Sequence, residues 1–262
     1  MFTDNPFAEL AASIPPSAIR TYVFFMAVLV VAGTLFDVYH KKSARYFFEN
    51  WQKSKTRASK QQGGGDIAFL AVQTACSEVL TSSEFCNPRR RVAHLLTMYG
   101  FLAYVITTAI MVFGYPTSAT PAPSIWPVLW HLGALMACVG GYWFWFCMRV
   151  DVAAEGNSPF RVVRADLFIL SLLASVTFAL LWSLSQSGGA SGLTKLFFGL
   201  YFIATTVLFA GVPWSKFAHM FFKPAAALQK RIAEADGSRS NLPAPTDKPE
   251  VFGSVDRLPQ NY

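Results

Sequence analysis

The chain has 262 residues, of which 53% are hydrophobic and only 14% are charged, and its mean hydropathy is +0.35. Soluble globular proteins average about 25% charged residues, so this composition argues against a soluble domain and favours a membrane protein. The formal net charge is +7. The basic residues lie at the ends of apolar runs and in two segments, so membrane topology explains them better than a nucleic-acid partner does.

Five apolar runs are each long enough to cross a bilayer as a helix. An N-terminal segment over residues 1–20 precedes a predicted membrane domain over 21–224. The predicted spans are about 21–38, 92–113, 125–147, 165–184 and 193–222. The sequence therefore predicts an all-α integral membrane fold, a bundle of five transmembrane helices.

Two further segments lie outside these spans. The loop 39–91 begins with a basic stretch, and its part over 66–88 predicts one or two interfacial helices rather than a crossing. The segment 225–262 begins with a short predicted helix over 225–235. It continues as a polar, proline-rich tail, a composition typical of a chain that is disordered in isolation.

The orientation of the spans follows from the distribution of lysine and arginine. Of these 22 residues, all except Arg20 and Lys195 lie in the loop 39–91, in the link 149–164, or after residue 215. Because cytoplasmic loops carry the excess of positive charge, these three segments are predicted to be cytoplasmic. The expected location is a bacterial inner membrane, with the N-terminus periplasmic and the C-terminus cytoplasmic.

Two histidines are predicted at one depth of the membrane. His94 follows the Arg89–Arg91 triplet in the opening turns of span two, and His219 lies near the end of span five. Imidazoles from two helices at the same level can ligate a haem iron axially. Gly100 either lets a porphyrin approach or serves helix packing. Three basic residues either hold haem propionates or mark the cytoplasmic boundary: Arg90, Arg91 and Lys216.

The other two histidines have different expected roles. His131 begins span three on the outer side, and about 30 Å of hydrocarbon prevents it from sharing an iron with His94. It is interpreted as an interfacial residue beside Trp126 and Trp130, with quinone binding as the alternative. His40 ends span one on the cytoplasmic side and is interpreted as a solvated flank, or as a spare ligand.

Three separated motifs resemble one family, over roughly residues 20–224. They are Arg91-Val92-Ala93-His94 with Gly100-Phe101 in span two, Asp166-Leu167-Phe168 opening span four, and Pro213-Trp214-Ser215-Lys216-Phe217-Ala218-His219 with Pro224 at the end of span five. This pattern resembles the gamma-subunit family of respiratory nitrate reductase, which includes the membrane subunits of heterodisulfide reductase. The resemblance implies a quinone-reactive haem b protein with axial ligands at His94 and His219.

The resemblance also implies partners. The length, the lack of an iron–sulfur cysteine domain and the proline-rich tail are most similar to the membrane anchors of adenylylsulfate (APS) reductase. Such an anchor would bind the soluble alpha and beta subunits of that flavin and iron–sulfur enzyme on the cytoplasmic side. Nitrate reductase gamma subunits carry a second haem on two histidines, and this chain has Tyr104 and Tyr201 at those positions. We therefore expect at most one haem b, with the two tyrosines either lining a quinone pocket or packing as core aromatics.

The expected function is thus a membrane anchor and electron-transfer subunit, without catalytic residues of its own. A haem-free structural anchor of the same soluble enzyme is the alternative. A transporter is a remote alternative, because the spans lack the buried carboxylate pairs and paired broken helices of transport sites.

Overall fold

Helices make up all the regular secondary structure in the part of the chain that is described. The structure is a computed structural model, and it describes residues 2–40, 42–83, 85, 87–153, 155–212, 219–239 and 242. The first half of the chain contains α1 (Pro6–Leu10), α2 (Pro16–His40), α3 (Ser43–Arg57), α4 (Gly64–Thr74, continued by a π-helix over Ala75–Leu80) and α5 (Pro88–Gly114). The second half contains α6 (Ile125–Trp143, continued by a π-helix over Phe144–Met148), α7 (Val150–Ala153), α8 (Leu167–Ser187, preceded by a 3-10 turn over Arg164–Asp166), α9 (Ser191–Ala210) and α10 (His219–Ala235).

Five of these helices are long and apolar enough to cross a membrane: α2, α5, α6 with its π-helix, α8 with its preceding turn, and α9. The predicted all-α, five-span fold is therefore confirmed, and the chain is a multi-pass membrane protein. The chain divides into two units. The first comprises residues 1–34 and 92–217, and the second comprises residues 35–91 and 218–262.

The end of span five differs from the prediction. The sequence placed His219 in the last turn of a helix over 193–222, but α9 ends at Ala210 and His219 is the first residue of α10. Gly211 is the C-cap of α9, and Pro213 follows two residues later. Proline has no backbone N–H and disfavours helical geometry in the residue before it. The apolar run continues past this break, so hydrophobicity alone did not reveal it.

The loop 39–91 contains more helix than the sequence indicated. A single helical segment, α4 with its π-helix, stands where one or two helices were predicted, and α3 was not predicted at all. The less exposed residues of α3 recur at helical spacing, at Phe47, Trp51 and Ser54. This spacing was obscured because the exposed positions carry many charges. The predicted helix over 225–235 forms the second half of α10.

Close helix contacts hold the first unit together. The antiparallel pair α8 and α9 is joined by a turn at Gly188 and Gly189, and Ser175 and Thr205 form a hydrogen bond of 2.8 Å across it. The pair α5 and α6 meets at glycines. A Cβ atom on Gly100 would lie 2.7 Å from the Gly133 carbonyl oxygen, and one on Gly140 would lie 2.6 Å from the Ala93 carbonyl oxygen. Small residues allow membrane helices to approach closely in this way.

In the second unit α10 packs against α3, α4 and the π-helix. Arg231 of α10 donates to the Glu78 carboxylate at 2.8 Å and to the Ser77 hydroxyl at 2.6 Å. Directly after α10, the Asp236 carbonyl accepts hydrogen bonds from the backbone N–H groups of Ser59 and Lys60. These contacts surround a cavity of about 260 Å³ between α3 and α10.

Candidate functional site

An imidazole is buried at one end of the first unit. His131 of α6 is 5% exposed. Its Nδ1 atom lies 2.7 Å from the Pro127 carbonyl oxygen, and its Nε2 atom lies 2.7 Å from the Ser183 hydroxyl of α8. Because a carbonyl oxygen only accepts, Nδ1 carries the hydrogen, and Nε2 of the neutral ring accepts the Ser183 proton. The sequence predicted an interfacial residue at His131, and the structure adds that its side chain is buried, with Ser183 of α8 as a partner.

Aromatic rings from four helices form a connected cluster, and this imidazole contacts it through Trp130. The Trp130 ring lies 4.9 Å from the His131 ring and 5.5 Å from the Tyr104 ring of α5. The Trp182 ring of α8 stacks on the Tyr201 ring of α9, with 5.6 Å between centroids and 12° between planes. Trp130 and Trp182 meet edge to face at 6.4 Å. The structure therefore brings Tyr104, Tyr201 and His131 into one cluster, which we name the aromatic cluster together with Trp130 and Trp182.

The short helix α1 covers one side of the aromatic cluster. Phe7 lies edge-on to Trp130 and Trp182, at 5.8 and 5.3 Å. The Asn5 side chain caps α1 through the Phe7 N–H and donates to the Tyr115 carbonyl at 2.8 Å. Helix α1 was not predicted from the sequence, in which residues 1–20 were interpreted only as a segment before the first span. Asn5 followed by Pro6 was the available signal, since an Asn N-cap with proline at the first helical position is a common helix start.

Two donors in the aromatic cluster lack acceptors. Among the described residues, neither the Tyr104 hydroxyl nor the Trp182 indole N–H has a hydrogen-bond partner, and both atoms are inaccessible to solvent. The side chains of Tyr201 and Ser175 lie near the Tyr104 hydroxyl, but neither forms a hydrogen bond with it that meets distance and angle limits. By contrast, the Trp130 N–H donates to the Thr108 hydroxyl at 2.8 Å. A buried unpaired donor costs about 1–3 kcal/mol, so an acceptor oxygen that reached this position would be bound favourably.

The second predicted site, at His94 and His219, is only partly described. His94 lies half-buried on α5. Phe101, two turns further along, has its ring 6.4 Å from that of Phe209 of α9. Residues seven apart lie on nearly the same helix face, so His94 lies on the same side of α5 as Phe101. The side chain of His219 and all of Lys216 lie outside the described residues. The pairing of His94 with His219 stays a prediction.

The other residues suggested for this site have observed positions. Arg91 donates from Nε to the Thr81 carbonyl at 2.7 Å, so that nitrogen already has an acceptor. Arg90 is half-buried in the first turn of α5. Gly100 packs against α6, where an added Cβ would lie 2.5 Å from the Ala137 backbone nitrogen. Of the two interpretations of Gly100, the structure supports helix packing. A porphyrin bound to His94 would have to approach α5 on another face.

A buried ion pair lies at the other end of α6 and α8. Arg149 donates to the Asp166 carboxylate at 2.6 Å and to the Arg161 carbonyl at 2.6 Å. Its guanidinium carbon lies 3.9 Å from the centroid of the Trp145 ring. Asp166 also accepts the Val163 N–H at 3.0 Å, at the start of the turn that precedes α8. The pair fixes the link between the two spans, and each charge is already neutralised by the other.

Among the described residues, no three or more His, Cys, Asp or Glu side chains lie close enough together to bind a metal ion.

Comparison with known proteins shows a match to the model of one protein family. The model of the family described as citrate utilization protein B matches residues 16–240. The match includes all five spans and the helices of the second unit. No curated protein and no solved structure matches the chain.

Proposed function

We propose a function for this chain, which belongs to the citrate utilization protein B family and has five membrane-spanning helices. In this proposal it is the membrane subunit of an oxidoreductase complex. It anchors a soluble flavin and iron–sulfur enzyme at the membrane and passes electrons between that enzyme and the quinone pool. The observation that carries the proposal is the aromatic cluster, because polar groups buried inside a membrane bundle are costly and usually functional.

The chemistry of the aromatic cluster suits a quinone head group. A quinone has two carbonyl oxygens that accept hydrogen bonds and a flat ring that stacks on aromatic side chains. The unpaired Tyr104 hydroxyl and Trp182 N–H are donors. The ring of Tyr201 packs against Trp182 and the ring of Trp130 packs against Tyr104, so these rings would have to separate for a quinone ring to stack on them. His131, hydrogen-bonded through both nitrogens, is the group in the cluster best able to exchange a proton.

The proposal assigns one haem b to His94 and His219, with Arg90, Arg91 and Lys216 as candidates for its propionates. When bound, the haem would carry single electrons between the partner's iron–sulfur cluster and the quinone. A second haem is not proposed. At Tyr104 and Tyr201, where the nitrate reductase family has its second pair of histidines, this chain packs its own aromatic rings.

The resemblance to APS reductase anchors makes the soluble subunits of APS reductase the proposed partner. The name of the family refers to citrate utilization, so citrate utilization is the alternative setting for the same electron-transfer role. In either setting the second unit faces the cytoplasm of a bacterium, because the spans are odd in number and the loop 39–91 holds the largest group of basic residues.

Two alternatives remain. A haem-free anchor would tether the enzyme while the partner's cluster reduces the quinone directly. Electron transfer that survives His94→Ala would favour it. A citrate carrier would need buried cations free to meet a trianion, but Arg149, a buried cation at the end of span three, is neutralised by Asp166. Citrate uptake by vesicles that contain only this chain would support a carrier.

The experiment measures quinol-dependent electron transfer by the full chain in proteoliposomes, with the soluble enzyme or an artificial electron acceptor. Tyr104→Phe and Trp182→Phe each remove one donor. Each is expected to raise the KM for quinol by on the order of tenfold, the equivalent of one hydrogen bond. The control is Tyr39→Phe, at an exposed tyrosine at the end of α2. A KM unchanged in both cluster variants would contradict the assignment of the quinone site.

A further inference from the structure

The helix formed by α4 and its π-helix presents an apolar stripe. Phe69, Val72, Cys76 and Leu80 are three or four residues apart and therefore share a face. Phe69 is 68% exposed, Val72 is 63% exposed and Leu80 is 50% exposed. Cys76 is also exposed and is not in a disulfide. A helix that faced water on this side would carry charged or polar residues here.

Contacts on the opposite side fix the rotation of this helix. Glu78 is the only charged residue between Ile67 and Leu80, and Arg231 of α10 binds its carboxylate. Thr74 is buried on the same side. The polar side of the helix is thus held by α10, and the apolar stripe points away from α10.

Chain connectivity keeps the stripe near the membrane. Leu80 is eight residues before Pro88, the first residue of the spanning helix α5. Eight extended residues reach at most about 29 Å. At the other end of the segment, α3 begins three residues after the spanning helix α2 ends at His40. The segment 41–87 is therefore attached at both ends to helices that cross the bilayer.

The positive charge of the loop also suits a position beside anionic lipid. The loop from Lys41 to Arg91 has ten lysines and arginines against four acidic residues, which are Glu49, Asp66, Glu78 and Glu84. Several of the basic residues are exposed on α3, including Lys53, Lys55 and Arg57. Basic clusters directly beside a membrane helix attract anionic lipid head groups, at about 1 kcal/mol per residue near the surface.

We propose that α4 and its π-helix form an interfacial membrane helix. Phe69, Val72, Cys76 and Leu80 enter the boundary between head groups and acyl chains of a leaflet that contains anionic phospholipid. The basic residues of the loop bind the phosphate groups around it. This role is independent of the electron-transfer function, because it requires neither haem nor quinone. In this proposal the apolar stripe is covered by lipid and not by the soluble enzyme.

The native thiol of Cys76 provides the probe for a direct test. The full chain is labelled at Cys76 with a nitroxide and reconstituted, without any soluble partner, in vesicles of phosphatidylcholine mixed with phosphatidylglycerol. The Cys76→Ala variant gives the signal from the other cysteines, which is subtracted. The matched control is a nitroxide at Lys230→Cys, on the exposed polar face of α10. Collision rates are measured with oxygen, which concentrates in acyl chains, and with a water-soluble nickel complex.

The Cys76 label is expected to collide several-fold more with oxygen than with the nickel complex, and the Lys230→Cys label is expected to show the reverse. Replacing phosphatidylglycerol by phosphatidylcholine should raise the exposure of Cys76 to nickel. Equal accessibility of the two labels to nickel would overturn the proposal. Protection of Cys76 that appears only after the soluble enzyme is added would also overturn it, because the stripe would then be a protein-binding surface. A Phe69→Ser and Val72→Ser double variant should raise nickel accessibility at Cys76 if lipid is the occupant.

Discussion

The Ser183 hydroxyl on α8 donates to Nε2 of His131 on α6 across 2.7 Å, because the Pro127 carbonyl holds the hydrogen of this buried imidazole on Nδ1. Ser183→Ala removes the donor and leaves a buried acceptor unpaired. We expect the free energy of unfolding to fall by about 1–3 kcal/mol, measured by thermal or denaturant unfolding in detergent.

The control for that variant is Ser187→Ala. Ser187 lies one turn later on α8, is exposed, and donates only to the carbonyl of Ser183. A change within about 0.5 kcal/mol is expected there, as for ordinary surface substitutions. Equal effects of the two substitutions would show that the His131 bond contributes nothing specific.

Gly100→Ala is expected to destabilise the first unit. The new methyl group would meet the Ala137 nitrogen at 2.5 Å and the Gly133 oxygen at 2.7 Å, so α5 and α6 would have to move apart. Overpacking of this kind costs about 1–3 kcal/mol. Gly199→Ala in α9 is the matched control, since nothing lies within 4 Å of its added Cβ. That change is expected to be neutral or stabilising, because alanine favours helix over glycine. If the Gly100→Ala variant were as stable to unfolding as the Gly199→Ala variant, α5 and α6 could not approach each other as closely as described.

Asp166→Asn tests the ion pair between the ends of α6 and α8. Both side chains are nearly buried, at 6% and 11% exposure, and the substitution leaves the Arg149 charge without its counter-ion. Loss of one partner from a buried pair costs about 3–5 kcal/mol, measurable as a lowered unfolding temperature.

The exposed pair Arg45–Glu49 of α3 provides the comparison. The hydrogen bond from Arg45 lowers the pKa of Glu49, but an exposed pair contributes little to stability. Glu49→Gln should leave the unfolding temperature almost unchanged. A larger loss from Glu49→Gln than from Asp166→Asn would contradict the account of the buried pair.

The five crossings were predictable from sequence because the bilayer requires a long apolar run for each. The residues at which the helices end, and the rotation of each helix about its own axis, were not predictable in this way. The apolar residues after Pro213 extended the predicted span five past its end at Ala210, and the charges of α3 concealed its stripe at Phe47, Trp51 and Ser54. Trp182 was not considered a site residue. Its approach to Tyr201 depends on how α8 and α9 rotate against each other, which hydropathy does not encode.

The C-terminal tail is predicted to hold the soluble enzyme. A tail deletion that tests this must leave Asp236 and Ser238 in place, because the Ser54 hydroxyl of α3 forms hydrogen bonds with the Ser238 hydroxyl at 2.9 Å and with the Asp236 carboxylate at 3.4 Å. A deletion from residue 243 spares these contacts. We expect it to release the soluble enzyme from membranes in co-sedimentation, while the amount of this chain in the membrane stays the same. Unchanged co-sedimentation would contradict the prediction.

The central claim, electron transfer through a haem held by His94 and His219, is tested most directly by a reduced-minus-oxidised absorption spectrum of the purified full chain after addition of quinol. The account predicts the bands of one b-type haem, their loss in His94→Ala and in His219→Ala, and their retention in His40→Ala, where the exposed ring stacks on Phe36. A protein that is folded and free of haem bands, or bands that survive in His94→Ala, would contradict it.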